Sequence, residues 1–369
     1  MCRGWEEICS QSGHSHDDFR VFDIAMTTPL FSRASGFGPL FAVIKVEQGA
    51  EALRRLYRQS GFVGTDYAPS ALVPFALMNR VYNCAAKLSG DPQFGARLGQ
   101  TIRLEDFGPF VEYALHGETL GEVIVRSIAA QLAHSNETIQ DLRVIGGEAR
   151  WRIRYQTDAE PTVEHHAQRT LMQMLAAVRR APEAHEDSIE IHVAEPYAAE
   201  ARILEDRIGA RVRPRANDYE LAFPAHWLSE RTPVAVLPSD AAIEWARYPD
   251  RPLPRTMAEA ALAALDLRDK PMGIGAIAAD IGLPSRTLQH ALRKEGVSYR
   301  ELVQGFRLRR ALQLLATTRK PVAEVALRAG YSEPSSFVRA FHSQTGMTPR
   351  RFREASRAPM PALPEHVSG

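Results

Sequence analysis

The sequence predicts two folded units of different class: a mixed α+β domain, then an all-α domain with two helix-turn-helix units joined by a central helix. Three observations carry this. Apolar spacing alternates between helical and strand periods as far as about residue 230, and after a proline-rich stretch it is helical throughout. Charge divides at the same place. Residues 255–357 hold 18 Lys+Arg against 9 Asp+Glu, a balance of +9, while the rest of the chain holds 27 against 35, a balance of −8. The second segment also repeats itself.

With 369 residues, 45% hydrophobic and 24% charged, the chain exceeds one ordinary core and has a globular composition. No apolar run approaches the roughly 18 residues of a membrane span, so no membrane partner is expected. Residues 1–29 are a polar leader with acids and histidines where a signal peptide would need an apolar core. The three cysteines, Cys2, Cys9 and Cys84, lack metal-site spacing and suit free thiols in a reducing cytoplasm.

Residues 30–232 form the first domain. Ala50–Gln59 places Leu53, Leu56 and Tyr57 on one helical face and stops at Gly61. Ser70–Leu88 is a second helical pattern with Pro74 in its first turn, and Thr119–His134 a third. Ile139–Ile145 and Glu148–Tyr155 form a hairpin across Gly146 and Gly147. In its second strand Trp151, Ile153 and Tyr155 alternate with Arg150, Arg152 and Arg154, whose row is expected on the wet face. Pro161–Arg180 and Ala199–Ile208 read as helices, Ser188–Val193 and Tyr219–Phe223 as strands. Residues 233–256 are a linker, since Tyr248–Arg255 carries three prolines in eight residues, and residues 358–369 are a tail.

In residues 257–357, Ile277–Leu283 and Ser285–Leu292 recur as Val325–Tyr331 and Ser332–Phe341. Ile277 and Gly282 match Val325 and Gly330 at an offset of 48; Leu288, Ala291 and Leu292 match Phe337, Ala340 and Phe341 at 49. Each copy is a helix ended by glycine, then a capped second helix, the pattern of a helix-turn-helix. Ser332 is the expected N-cap of one second helix, with Pro334 in its first turn, and Ser285 the expected cap of the other. The polar faces offer Arg286, Gln289, His290 and Arg293, and then Ser335, Val338, Arg339 and His342. Arg can bond guanine bidentately, Gln adenine, and Val can meet a thymine methyl, so double-stranded DNA is the partner these types suit. Between the copies Tyr299–Thr317 forms one apolar-striped helix. It is about 28 Å long, close to the roughly 34 Å between successive major-groove faces on one side of a duplex.

Residues 272–353 resemble the DNA-binding domain of the AraC/XylS family. The likeness rests on Leu288 and Gln289; Arg307, Ala311, Leu314 and Leu315; Pro321, Val322, Val325 and Ala326. It continues through the run from Gly330 to Phe337 and the ending Phe341, Gly346–Pro349, Phe352 and Arg353. The resemblance implies base reading by Arg286, Gln289 and His290, and by Pro334, Ser335, Val338 and Arg339; Arg293 and Arg350 complete the expected DNA-binding set. Pro334 cannot read by hydrogen bond, which makes the second unit the weaker reader. More loosely, residues 30–232 are similar to the effector domain of the ornithine-utilisation-regulator-like subgroup. That likeness rests on Phe94, Gly95, Leu98 and Gly99, on Thr119 and Leu120, and on Asp218, Leu221–Pro224, Trp227 and Leu228. It implies an effector-binding and dimerisation domain that is not a cupin barrel, a small-molecule effector, RNA polymerase as a partner, and activation of transcription.

His165 and His166 lack an i, i+4 ligand and are expected as surface histidines, like His14 and His16. Cys84 sits in an apolar helix as an inert thiol. There is no Walker A loop, GxGxxG or nucleophile elbow, so neither cofactor, metal nor catalytic residue is expected. Two alternatives remain: a constitutive DNA-binding protein whose first domain only dimerises, and an enzyme fused to a DNA-binding domain, which would need a reactive cysteine or a metal set.

Overall fold

Helix starts, tight turns and buried stripes place the elements in chain order. The computed structural model describes residues 28–63, 68–102, 109–156, 163–194, 201–215, 218–233 and 252–357. Most of the leader, residues 234–251 of the linker, the tail, Cys2, Cys9, His14 and His16 lie outside them.

A short antiparallel pair, β1 (Phe31–Arg33) and β2 (Leu72–Pro74), brackets α1 (Leu40–Ser60). Helix α1 is broken at Gly49, whose φ of 86° no helix interior accommodates, and ends on Gly61 in the left-handed region. The predicted helix over residues 70–88 is therefore divided. Pro74 closes the strand and stands as N-cap of α2 (Phe75–Ser89) rather than in its first turn. Next come α3 (Phe94–Thr101), α4 (Pro109–Ala114) and α5 (Leu120–His134). Thr119 caps α5 by accepting from the Glu122 amide.

The hairpin β3 (Thr138–Ile145) and β4 (Glu148–Tyr155) turns on Gly146 and Gly147, at φ 60° and 84°. Two successive positive φ values are what a type I′ turn requires. Then follow α6 (Glu164–Val178), β5 (Glu190–Ala194), α7 (Ala201–Ile208), β6 (Arg211–Arg215) and β7 (Tyr219–Pro224). The five strands order β3-β4-β7-β5-β6, antiparallel except for the parallel β5–β6 pair. Among the described residues this is an open mixed sheet, not a barrel. Alternation holds in β4, where Trp151 and Ile153 are buried. The arginine row between them is half-buried and ion-paired: Arg150 with Glu148 and Glu220, Arg152 with Asp141 and Asp218, Arg154 with Asp218.

Helix α3 crosses α6 at very short range. A Cβ on Gly95 would stand 2.0 Å from the His165 carbonyl oxygen, and one on Gly99 2.9 Å from that of Arg169. Only glycine permits this approach, and it seats the α6 turn that carries His166 and Arg169 into the domain.

The second domain comprises α8 (Met257–Asp266), α9 (Ile274–Ile281), α10 (Ser285–Lys294), α11 (Tyr299–Thr317), α12 (Val322–Arg328), α13 (Pro334–Thr345) and α14 (Pro349–Arg357). It has two small cores rather than one. Ile277, Ala278, Leu288, Leu292 and Phe306 belong to the first, with α8 packed upon them. Ala311, Leu315, Val325, Phe337 and Phe341 make the second. Helix α11 thus gives its first half to one unit and its second half to the other.

Candidate nucleic-acid interface

The duplication extends to hydrogen bonds. After Gly282 (φ 84°) the Leu283 amide donates to the Ala278 carbonyl at 2.8 Å; after Gly330 (φ 89°) the Tyr331 amide donates to that of Ala326 at 3.0 Å. Both first helices therefore exit by the same six-to-one bond of a Schellman turn, so the second helices leave at matching angles. The second turn is also sterically closed: a Cβ on Gly330 would lie 2.4 Å from Pro271 Cδ.

The caps differ from expectation. Helix α10 begins at Ser285 with Pro284 as its N-cap, and α13 begins at Pro334 with Glu333 as its N-cap; neither makes a side-chain cap bond. Ser285 and Ser332 do not cap. Pro334 does occupy the first turn, where its missing N–H costs nothing. The first amides of both second helices are thus left without a side-chain acceptor. Such a helix end carries partial positive charge and can meet a phosphate.

On α10, Leu288 and Leu292 are buried, while Arg286, Gln289, His290 and Arg293 are exposed with the first domain in place. On α13, Phe337 and Phe341 are buried and Ser335, Arg339 and His342 exposed. Arg339 Nη2 reaches Ser336 Oγ at 3.4 Å. Val338 is half-buried against the second core, which leaves only part of its side chain for a partner. Arg350 is 86% exposed on α14 and pairs loosely with Glu354, a contact water screens. Seven of the nine residues expected at DNA thus sit on open surface, four on α10, two on α13 and one on α14, while Pro334 and Val338 are half-buried.

Two further features were not legible from spacing. The first is a seam between the domains. Phe31 and Leu72 pack into the first helix-turn-helix core, beside Met257 and Ala260. Arg80 on α2 donates to the Ala279 carbonyl at 2.6 Å and to Asp280 Oδ1 at 2.7 Å. Asp280, buried, also accepts from Arg268, whose other guanidinium nitrogen donates to the Gly61 carbonyl.

The second is a polar cluster in the core of the first domain. His166 is buried, not a surface histidine, and packs edge-on against Phe75, Tyr82 and Tyr155. Arg169 Nη2 lies 2.8 Å from His166 Nε2, and Tyr155 Oη lies 2.7 Å from Nδ1. Arginine only donates, so Nε2 accepts and the ring proton on Nδ1 points to Tyr155. Burial and the Arg169 charge hold His166 well below the ordinary histidine range, in its neutral form. Burial pushes the Cys84 thiol up, away from the reactive thiolate an enzyme would need.

An open α+β domain joined to a duplicated, basic helix-turn-helix domain defines a DNA-binding regulator with an attached sensor. Residues 51–232 match the family described as the arabinose-binding domain of AraC transcription regulator, N-terminal, and residues 277–355 match a helix-turn-helix domain. The chain is similar to the ornithine utilization regulator of Pseudomonas aeruginosa, 26% identical over 321 residues that span 78% of this chain and 86% of the relative. It is also similar to the HTH-type transcriptional regulator GadX of Escherichia coli O6:H1. There the identity is 35% over 85 residues, 23% of this chain and 31% of the relative. Among solved structures, the transcriptional regulator CdpR of Pseudomonas aeruginosa is 21% identical and covers 87% of this chain and 98% of its own, with a TM-score of 0.37. The chain belongs to the AraC family of transcription regulators, with an N-terminal effector-binding domain and a C-terminal helix-turn-helix DNA-binding domain. Its relatives are named as regulators, not enzymes.

Proposed function

We propose that the protein is an effector-responsive, sequence-specific regulator in which α10 reads one major groove and α13 the next on the same face of the duplex. The observation that carries it is the pair of second helices. Each buries its apolar stripe in a separate small core and presents Arg, Gln, His or Ser outward, in a segment of net charge +9. Base reading falls to Arg286, Gln289, His290, Ser335 and Arg339, with a lesser share for half-buried Val338; Arg293 and Arg350 reach phosphate. Selection of genomic fragments on the full-length chain tests this reading. A shared motif with two half-sites about one helical turn apart is expected, and recovery of unrelated sequences would refute it.

The first domain, net-acidic and without the helix-turn-helix pattern, is assigned the effector and the dimer contacts. Sedimentation of residues 1–250 should show a dimer, and a monomer would remove that part of the reading. Contact with RNA polymerase, activation rather than repression and a cytoplasmic location follow the family's pattern. Among the described residues no helix is long and apolar enough to cross a membrane. A constitutive binder would show DNA affinity and promoter output that no metabolite changes.

A further inference from the structure

The five-stranded sheet of the first domain ends in two unlike edges. At one end β6 exposes Arg211 and Arg213 and contains Pro214, which has no N–H to offer. Charge and proline on an edge strand discourage a further strand from pairing. At the other end β3 carries neither proline nor bulge, and it faces β4 through consecutive pairs from Thr138 to Ile145. It also leaves Ile139, Val144 and Ile145 exposed. An unprotected, partly apolar edge is where another strand adds.

The ladder with β4 fixes which backbone groups of β3 face outward. The Gln156 amide donates to the Glu137 carbonyl at 2.8 Å, and the two-residue turn closes on the Ile145–Glu148 pair. Hydrogen-bonded residues alternate along an antiparallel pair. Ile139, Asp141, Arg143 and Ile145 therefore direct their backbone groups at β4, while Gln140, Leu142 and Val144 direct theirs outward. On that outer side β1 already takes Asn136, whose amide donates to the Phe31 carbonyl at 3.1 Å. The open run is thus residues 139–145, between β1 and the turn, and Leu142 is its midpoint. Among the described residues no backbone group bonds the outward amides and carbonyls of this run.

We propose that β3 is the dimer contact and that a second copy of this chain adds its own β3, antiparallel, about a two-fold axis through Leu142. Outward groups must meet outward groups, so a pairing that uses most of the run has its axis at Asp141, Leu142 or Arg143. An axis at Asp141 sets two carboxylates opposite each other, and one at Arg143 sets two guanidiniums opposite; like charges directly opposite are destabilising. An axis at Leu142 sets each Asp141 opposite Arg143 of the second copy and each Ile139 opposite Ile145 of the second copy. Asp141 also meets Arg143 and Arg152 of its own chain, so the two Asp141 and two Arg143 side chains alternate in sign around the axis. Gln140 and Val144 exchange backbone hydrogen bonds with Val144 and Gln140 of the second copy, and the two Leu142 residues with each other. The inference rests on the reading that the first domain carries the dimer contacts, and it adds the surface and its register.

Sedimentation and cysteine cross-linking of the full-length chain test it. Arg143→Glu places an acid opposite Asp141 on both sides of the axis and should weaken the dimer by about tenfold or more. Val144→Pro removes an outward N–H and no bond to β4, and should weaken the dimer likewise. Arg213→Glu, on the opposite edge of the sheet, should leave it unchanged. In a Cys2→Ser, Cys9→Ser background, Ile139→Cys combined with Ile145→Cys should give a disulfide-linked dimer on mild oxidation. Facing residues of such a pair lie about 4.5 Å apart at Cα, within disulfide reach. Either new cysteine alone should give none, because its own copies would lie about 20 Å apart. If Val144→Pro fails to fold, the cross-link decides. A dimer unchanged by Arg143→Glu, or one that the paired cysteines do not link, would overturn this contact and leave the dimer reading standing. A monomeric parent chain would overturn both.

Discussion

Arg286 and Arg293 lie seven residues apart on α10, two turns along the same exposed face, and this spacing separates reading from anchoring. Arg286→Ala and Gln289→Ala should each cost about 1–3 kcal/mol on the selected site and relax specificity in one half-site. Arg293→Ala should weaken selected and random DNA alike and lower the salt slope by about one. Equal proportional losses for Arg286→Ala and Arg293→Ala in a filter-binding series would make α10 an electrostatic anchor. In the first domain the informative residue is Glu137, whose folded-state pKa is raised to about 7 from an ordinary value near 4.5. Its contribution to stability is fully present below about 4.5 and is lost as pH rises through 7, because the unfolded chain ionises first. Glu137→Gln should therefore be relatively more stable above pH 7 than below 4.5, by a few kcal/mol. Denaturant titrations across that range check it, and a pH-independent difference would contradict the buried acid. Glu137 did not announce itself in sequence, and His166 was expected at the surface but is buried. The groups around His166 come from Phe75, Tyr82 and Tyr155, and no local spacing reports such a convergence.

Elements were most legible where a whole signal lies within a few residues. The Gly146–Gly147 hairpin, the span Tyr299–Thr317 and the two glycine exits stand as read, since each rests on local apolar spacing or glycine geometry. Strands β1 and β2 were missed because three residues carry no measurable period. Strand β6, Arg211–Arg215, was missed because its alternation is arginine against Val212 and Pro214, and proline argues against a strand except at a sheet edge, where β6 lies. The caps of α10 and α13 were misplaced, while complete capping boxes lie at α8, from Thr256 and Glu259, and at α11. At α11 Ser298 accepts from the Glu301 amide and Glu301 accepts in return from that of Ser298. Ser298→Ala should cost about 1 kcal/mol. As α11 serves both cores, thermal unfolding should show both units losing stability together. A variant as stable as the parent would mean the box is redundant with packing.

The whole molecule depends on a seam that joins residues two hundred positions apart. Arg80 meets Asp280, and a Cβ on Gly282 would stand 2.9 Å from the Ala76 side chain, so α2 lies directly against the first helix-turn-helix. Charge division and the proline-rich linker made two domains legible, but no sequence pattern says which faces dock. The position of the seam constrains regulation. With the first domain docked, Arg286, Gln289, His290 and Arg293 remain exposed, so that domain does not hide the reading face of α10. Control by an effector would then act through the setting of the first unit, by way of α2 and α9, or through the dimer contacts, rather than by uncovering that face. The effector-free full-length chain should accordingly bind its selected site with a steep salt dependence. Arg80→Ala removes the donors to Ala279 and Asp280 while Arg268 still neutralises Asp280, so no buried acid is orphaned. It should weaken docking by about 1–3 kcal/mol and split one calorimetric unfolding transition into two. The salt slope of DNA binding should not change, because Arg80 lies in the seam and not on the face of α10. A single unchanged transition would mean that the seam carries no docking energy. A changed slope would place Arg80 against phosphate and refute the arrangement of the two domains.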